Sequence, residues 1–108
     1  MSRLERKNAV TIGEALHDFL REARLSSDLN RRRIYSAWDK ASGASAYTIR
    51  RHFKDGKLYI TLKSSVARTQ LSFQKQAIID RMNALLLEDE MFFKDDPDVN
   101  CITELILK

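Results

Sequence analysis

Residues 55–73 read DGKLYITLKSSVARTQLSF, and this stretch decides the fold. Apolar and polar side chains alternate from Lys57 to Lys63, which is the period of a strand with one buried face. Two serines follow without a linker, and a helical pattern continues from them. The stretch therefore predicts a strand that runs directly into a helix of about residues 65–87.

A second strand precedes this one. AYTIRRHF at 46–53 also alternates, with Tyr47, Ile49, Arg51 and Phe53 against Thr48, Arg50 and His52. KDG at 54–56 supplies a turn between the strands. The predicted hairpin has one apolar face and one open basic face, which displays Arg50, His52, Lys57, Tyr59, Thr61 and Lys63.

Helical periodicity marks the N-terminal part of the chain. The T-x-x-E sequence at 11–14 is a capping box ahead of a helix of about 11–24. A second helix has SSD at 26–28 as candidate caps, a stripe of Ile34, Ala37, Trp38 and Ala41, and Gly43 as its stop. Arg31, Arg32 and Arg33 fan around its solvent side. Trp38 is either a core anchor or a surface on which a base stacks.

The helix of about 65–87 has a buried stripe formed by Ala67, Leu71, Ile78, Met82, Leu85 and Leu86. It leaves Val66, Phe73 and Ala77 on the opposite side. NCITELILK at 100–108 is short and β-rich, and it predicts a third strand. The order helix, helix, strand, strand, helix, strand is typical of an α+β domain in which a small three-stranded sheet carries helices on one face.

Composition bounds the class of protein. A chain of 108 residues with 44% hydrophobic content predicts a single domain. We assign it to residues 11–108, after a flexible basic N-terminus at 1–10. No apolar run approaches the ~18 residues of a membrane span, and the first ten residues are too charged for a signal peptide, so we expect a cytoplasmic protein with no membrane partner. Cys101 is the only cysteine and there are two histidines, so we expect no disulfide, no metal site and no cofactor.

Charge is segregated along the chain. An acidic loop at about 88–98 carries six carboxylates and one lysine, a net charge of −5, so the remaining residues carry +9. A basic body favours a polyanionic partner, although a merely soluble surface accounts for the same imbalance.

The acidic loop also contains three consecutive apolar residues, Met91, Phe92 and Phe93, which we expect to be buried and not exposed to water. Either a Phe packs on Phe73 and Val66 on the outer side of the third helix, or these side chains anchor a partner protein. Phe73, Phe92 and Phe93 are therefore candidate partner-binding residues.

Ser64 and Ser65 at the strand-to-helix junction have three possible roles. They cap the helix, they contact a phosphate together with Lys63 and Arg68, or one of them is a nucleophile. The last role needs a base and an oxyanion hole, for which the sequence has no G-x-S-x-G. On the open face, Tyr59 suits both base stacking and ordinary strand propensity.

Several of these residues together resemble one family. AW at 37–38, Gly43, YT at 47–48, DGKLYITLKSSVARTQL at 55–71 and Asn83 are similar to the DciA-like family, and the similarity runs from about 11 to 108. The resemblance implies a K-homology-like fold and a role in loading or assisting the bacterial replicative DNA helicase, with contacts to single-stranded DNA. The G-x-x-G loop by which K-homology domains clamp a nucleic-acid backbone does not occur in this sequence.

Three functional classes follow: a non-catalytic nucleic-acid-associated factor that docks on a replicative helicase, an RNA-binding module, or a purely protein-binding adaptor. An enzyme with a small-molecule substrate fits the residues worst. The predicted nucleic-acid-binding residues are Arg31, Arg32, Arg33, Arg50, Lys57, Tyr59, Lys63, Ser64, Ser65 and Arg68.

Overall fold

The structure is a computed structural model that describes residues 14–16, 18 and 25–108. From residue 25 onward it has helices α1 (Ser26–Ser42), α2 (Ser65–Ser72) and α3 (Lys75–Leu87) and strands β1 (Thr48–Lys54), β2 (Lys57–Leu62) and β3 (Glu104–Leu107). Residues 14–16 and 18 are helical; the rest of the predicted first helix and the predicted flexible N-terminus lie outside the described residues. The domain is α+β, as the sequence predicts.

Helix α1 ends as predicted but begins differently. Gly43 has φ 65°, and its N–H donates to the Asp39 carbonyl, which is the left-handed end that glycine favours. At the other end Leu25 precedes the helix without a side-chain cap, and Ser26 is already helical. The prediction that SSD caps this helix is wrong, because the hydroxyls of Ser26 and Ser27 donate to Asp96 instead.

The predicted turn between β1 and β2 is confirmed. Asp55 and Gly56 have φ values of 54° and 79°, as a two-residue hairpin turn requires. Gly56 is needed for a second reason, because a Cβ there would lie 2.8 Å from Thr103 Oγ1. The Thr103 N–H donates to the Gly56 carbonyl at 2.8 Å, so this close approach sets the start of β3 beside the turn.

The sheet has the order β1-β2-β3, with β1 antiparallel and β3 parallel to the central strand β2. A parallel neighbour requires the chain to return to the starting end of β2 before β3 begins. Helices α2 and α3 and the acidic loop make this return. The direction of β3, which the sequence left open, is thereby fixed.

The predicted helix of about 65–87 is two helices. The break lies at Phe73 and Gln74, where Gln74 has non-helical φ −119° and ψ 15°. Ser72 Oγ donates to the Thr69 carbonyl at this point, a local bond that competes with helix continuation. Of the predicted stripe, Leu71, Ile78, Met82 and Leu86 are buried, whereas Ala67 is half-buried and Leu85 is exposed; Ile79 is buried as well.

The core lies between the helices and one face of the sheet. Its fully buried members are Ile34, Trp38, Phe53, Leu58, Ile60, Ile78, Met82, Val99, Ile102 and Leu105. Trp38 is confirmed as a core anchor, and its burial rules out the alternative that a base stacks on it. The other sheet face is open, as predicted. The K-homology-like assignment remains a prediction.

The acidic loop of residues 88–98 is irregular but firmly attached to α1. The buried Asn30 amide donates to the Phe93 carbonyl at 2.9 Å and to the Val99 carbonyl at 2.7 Å, and its oxygen accepts the Phe93 N–H at 2.7 Å. Phe92 and Phe93 are only 5% and 3% exposed. Intramolecular burial is confirmed, but its predicted location is wrong, because Val66 and Phe73 remain exposed.

Asp96 is the second attachment point of this loop. Its carboxylate accepts from Ser26 Oγ at 2.5 Å and from the backbone N–H groups of Asp98 and Val99 at 2.9 and 2.8 Å. Burial raises the pKa of Asp96, but these hydrogen bonds outweigh it and leave the pKa below its ordinary value of 3.8. The carboxylate is thus held in its charged form.

Candidate nucleic-acid interface

The open sheet face collects side chains from all three strands. Across β1 and β2, Arg50 lies opposite Thr61, His52 opposite Tyr59 and Lys54 opposite Lys57. On the other side of β2, Lys57 is the register partner of Glu104 and Tyr59 that of Ile106. Lys108 follows β3 and lies near Tyr59. The predicted residues Arg50, His52, Lys57, Tyr59 and Thr61 therefore share one face.

A β-bulge at Ile49 sets which residues of β1 reach this face. Thr48 pairs with Leu62 and Arg50 with Thr61, so Ile49 is an extra residue without a partner. Ile49 is 61% exposed and Tyr47 is exposed as well. The prediction that both lie on the apolar face is wrong, because a strict alternation does not allow for the bulge.

The same bulge turns Thr48 away from the open face. Thr48 Oγ1 accepts the Trp38 Nε1–H at 3.0 Å and donates to the Ala44 carbonyl at 2.8 Å. Thr48 thus satisfies the one polar group of a buried tryptophan. Arg51 lies on the helix side of β1. Its charge is neutralised by an ion pair with Asp39 of α1, in which Arg51 Nη2 lies 2.6 Å from Asp39 Oδ1.

Tyr59 lies at the centre of the open face. Its ring centroid is 6.0 Å from that of His52, with the ring planes at 39°, and Lys108 Nζ lies 5.5 Å from the Tyr59 centroid. His52 adds a second ring beside Tyr59, and Lys108 adds a positive charge. A nucleobase stacked on Tyr59 would therefore have an aromatic surface beneath it and a cation beside it that suits a phosphate.

Cations dominate the surroundings of Tyr59. Arg50, Lys54, Lys57 and Lys108 lie on this face, and none of them forms an ion pair with another described residue. Glu104, beside Lys57, is the carboxylate that the strand register brings to the face. Cations around an aromatic side chain are suited to the phosphates and bases of a single strand.

The junction between β2 and α2 borders this face. Ser64 Oγ accepts the Ala67 N–H at 3.1 Å, so the capping role is confirmed for Ser64. Ser65 is the first residue of α2 and is exposed, as is Lys63, while Arg68 is half-buried. Lys63 continues the alternation of β2 and extends the cationic surface toward the start of α2.

The three predicted arginines of α1 do not form one free patch. Arg31 Nη1 lies 3.2 Å from Asp28 Oδ1, and Arg33 Nε lies 2.6 Å from Asp89 Oδ2 in the acidic loop. Burial raises the pKa of Asp89, but the hydrogen bond from Arg33, the Met91 N–H and the charges of Arg33 and Lys40 outweigh burial, so the pKa lies below its ordinary value. Arg33 therefore acts as a third attachment of the loop, while Arg32 is exposed.

The positions of the phenylalanines and of two further lysines differ from the predicted sites. Phe92 and Phe93 are buried and so are not on the surface that a partner could reach, whereas Phe73 is 83% exposed. Lys54 and Lys108 belong to the open face and were not predicted. The alternation of β1 could have indicated Lys54, but Lys108 reaches the face only because β3 is parallel to β2.

The described residues offer neither a metal site nor a membrane span. They contain no group of three or more His, Cys, Asp or Glu side chains that could hold a metal ion. Among them no helix has the length and apolar character needed to cross a membrane.

Comparison with known proteins identifies a family. The family model described as "Dna[CI] antecedent, DciA" matches residues 11–91. This range covers α1, the hairpin, the Ser64 junction and both later helices, and it ends inside the acidic loop. No curated protein and no solved structure matches the chain significantly.

Proposed function

The chain belongs to the DciA family, and from this premise we propose that it assists or loads the bacterial replicative DNA helicase in the cytoplasm while contacting single-stranded DNA. Family membership supports the helicase as the partner. The observation that carries the DNA contact is the open sheet face, where Tyr59 lies among four cations that form no ion pair with another residue of the described part of the chain.

The proposed role is non-catalytic. Of the two candidate nucleophiles, Ser64 already uses its hydroxyl oxygen to accept the Ala67 N–H. His52, the described histidine, lies beside Tyr59 on the sheet face and contacts its ring. This arrangement favours a binding surface over an acid-base pair.

The DNA contact is tested by fluorescence anisotropy with a labelled single-stranded oligonucleotide over a range of salt concentrations. If phosphates provide the affinity, log K falls with log salt by about 0.7 per phosphate neutralised. The double variant Arg50→Ala, Lys57→Ala removes two cations of the face, so we expect weaker binding and a slope shallower by about 1.4.

The matched control is Lys40→Ala, Arg81→Ala, which removes one lysine and one arginine from the groove between α1 and α3. It should leave both affinity and slope unchanged. Equal losses in the two double variants would mean that overall charge, and not this face, provides the affinity. RNA and duplex DNA of the same length separate a single-strand DNA preference from an RNA-binding module.

Stacking on Tyr59 is tested with Tyr59→Val, which keeps a strand-forming side chain. Loss of one stacked base costs about 1–3 kcal/mol, roughly 5- to 150-fold in affinity. The slope against salt should not change, because no cation is lost. An unchanged affinity would remove Tyr59 from the interface.

The helicase role is tested with the purified replicative helicase of the same organism. We expect a complex in sedimentation velocity and faster helicase recruitment to a single-stranded circle. Absence of both would overturn the helicase proposal and leave nucleic-acid binding to be judged by the anisotropy data alone.

A further inference from the structure

The two edges of the sheet differ in how they are covered. Along the outer edge of β1, the Phe53 N–H donates to the Tyr35 hydroxyl oxygen at 3.2 Å, and Arg31 Nε lies 3.5 Å from the Phe53 carbonyl oxygen. Helix α1 therefore covers part of that edge. Strand β3 is the other edge strand, because the sheet has the order β1-β2-β3.

The hydrogen bonds of Lys108 show which backbone groups of β3 point away from the sheet. The Lys108 N–H donates to the Ile60 carbonyl, and the Lys108 carbonyl accepts the Leu62 N–H, both at 2.8 Å. Successive residues of a strand direct these groups to opposite edges. The backbone N–H and C=O groups of Leu105 and Leu107 therefore face away from β2.

This outer edge is open along β3. Asn83 of α3 bonds the backbone N–H and carbonyl of Ile102, each at 2.9 Å, but that contact lies ahead of the strand, which begins at Glu104. No described residue forms a backbone pairing on the outer side of the strand itself. Such an edge is a template for pairing with another strand.

The sequence of this edge is complementary to itself in the antiparallel direction. Residues 104–108 read ELILK, with opposite charges at the two ends. Two copies that pair about a two-fold axis at Ile106 place Glu104 of each copy opposite Lys108 of the other. Opposite charges in this position stabilise strand pairing, whereas an in-register parallel pairing would set like charges against each other.

The open hydrogen-bonding groups fit the same register. It sets Leu105 of one copy opposite Leu107 of the other, and these are the residues whose backbone faces outward. Two such opposed residues exchange two hydrogen bonds in an antiparallel pair, so the two-fold axis gives four. On the core side Leu105 is buried and Leu107 is half-buried, so the pairing also adds an apolar contact between strands.

We propose that two copies of this chain pair through β3, antiparallel about Ile106, and form one six-stranded sheet. Directly opposed residues lie on the same face of a sheet, so the open faces of the two copies join. Tyr59 is the register partner of Ile106, so the two Tyr59 residues lie in one row across the sheet. They are three strand spacings apart, roughly 14 Å.

The pairing itself goes beyond the proposed function and does not depend on it. It rests on that function only in what the joined face does, because a single strand that contacts one Tyr59 continues across β3 to the other. Lys108 of each copy also neutralises Glu104 of the other, the carboxylate that the strand register brings to this face. That pairing reduces the repulsion of phosphates.

The test is sedimentation velocity of the chain alone over a range of protein concentrations. Glu104→Lys and Lys108→Glu each place like charges opposite one another at both ends of the paired strands. We expect the dimer to dissociate about 30-fold more readily in either variant. Both residues are exposed, so both variants should fold, which their melting temperatures monitor.

Mixing the two single variants tests the register. Lysines at 104 and 108 of one chain then lie opposite glutamates at 108 and 104 of the other, so a heterodimer should form with about the affinity of the wild-type dimer. The double variant Glu104→Lys, Lys108→Glu should also dimerise, and it decides the question if a single variant does not fold. The matched control is Glu90→Lys, which makes the same charge change at an exposed residue of the acidic loop and should dimerise like the wild type.

Three results would overturn the proposal. A wild-type chain that stays monomeric up to about 1 mM would show that the edges do not pair. A dimer that persists unchanged in Glu104→Lys would place the interface elsewhere, and single variants that do not combine on mixing would show that the register is wrong. These experiments contain neither DNA nor helicase, so the proposed function is judged separately by the anisotropy and helicase measurements.

Discussion

Replacement of Asn30 by leucine tests how the acidic loop is attached. Asn30 is fully buried, and its side chain makes three hydrogen bonds with the backbone of Phe93 and Val99 at 2.7 to 2.9 Å. Leucine has nearly the same size and shape, so Asn30→Leu removes these bonds with little change in packing volume. The Phe93 N–H and the Val99 carbonyl then lose the bond that Asn30 provides, while the Phe93 carbonyl keeps the Asp96 N–H at 3.2 Å.

The expected loss of stability follows from the lost bonds to the Phe93 N–H and the Val99 carbonyl. A buried backbone group left without a partner costs about 1–3 kcal/mol. Loss of these two bonds therefore lowers the free energy of unfolding by about 2 kcal/mol or more, even when water relieves part of the cost. Domains of this size are stable by only about 5–15 kcal/mol, so the change is large.

The measurement is urea denaturation followed by circular dichroism, with hydrogen exchange of the Phe93 amide as a local reading. The control is Gln76→Leu, which removes an exposed hydrogen bond to Asp80 and should change stability by less than about 0.5 kcal/mol. A loss below about 1 kcal/mol in Asn30→Leu, with the Phe93 amide still protected, would show that Asn30 does not hold the loop.

Three further predictions follow from individual contacts. Ser64→Ala should cost about 1 kcal/mol of stability because it removes the cap of α2, while Ser65→Ala should be nearly neutral; equal effects in thermal denaturation would contradict the capping assignment. The pKa of Asp96 is lowered in the folded protein, so its carboxylate stabilises the fold at any pH above its ordinary pKa of 3.8. This stabilisation is lost as the pH falls through the folded pKa. Asp96→Asn should be less stable at pH 7 and show a weaker acid dependence in denaturation between pH 5 and 2; an unchanged acid dependence would count against this assignment. Thr48→Val should cost about 1–3 kcal/mol by leaving Trp38 Nε1–H unpaired, as read from tryptophan fluorescence on unfolding, whereas Thr48→Ser should retain most of the stability.

Local physical rules account for the elements that the sequence determined. The alternation of β2, the turn at Asp55 and Gly56, the stop of α1 at Gly43 and the cap at Ser64 each depend on a few neighbouring residues. Backbone angles and side-chain periods act at this range, so the order of elements and most of the open basic face could be predicted.

The bulge in β1 and the break between α2 and α3 could be found only from the structure. The bulge at Ile49 reverses the expected sides of Thr48 and Ile49, and it places Thr48 Oγ1 where it accepts the Trp38 Nε1–H, ten residues away in sequence. The interruption at Phe73 divides a helix whose apolar period is continuous across the break. A regular pattern of apolar residues indicates a strand or a helix, but it does not show where packing introduces a bulge or a break.

The tertiary structure alone decided what residues distant in sequence do together. Asn30 and Arg33 are ordinary polar residues of a helix until residues 56–69 positions later fold back onto them. Lys108 joins the open face only because β3 is parallel to β2, which brings its ammonium group 5.5 Å from Tyr59. A hydrogen bond, an ion pair or a cation beside a ring depends on a partner's position in space, and the local sequence does not contain that position.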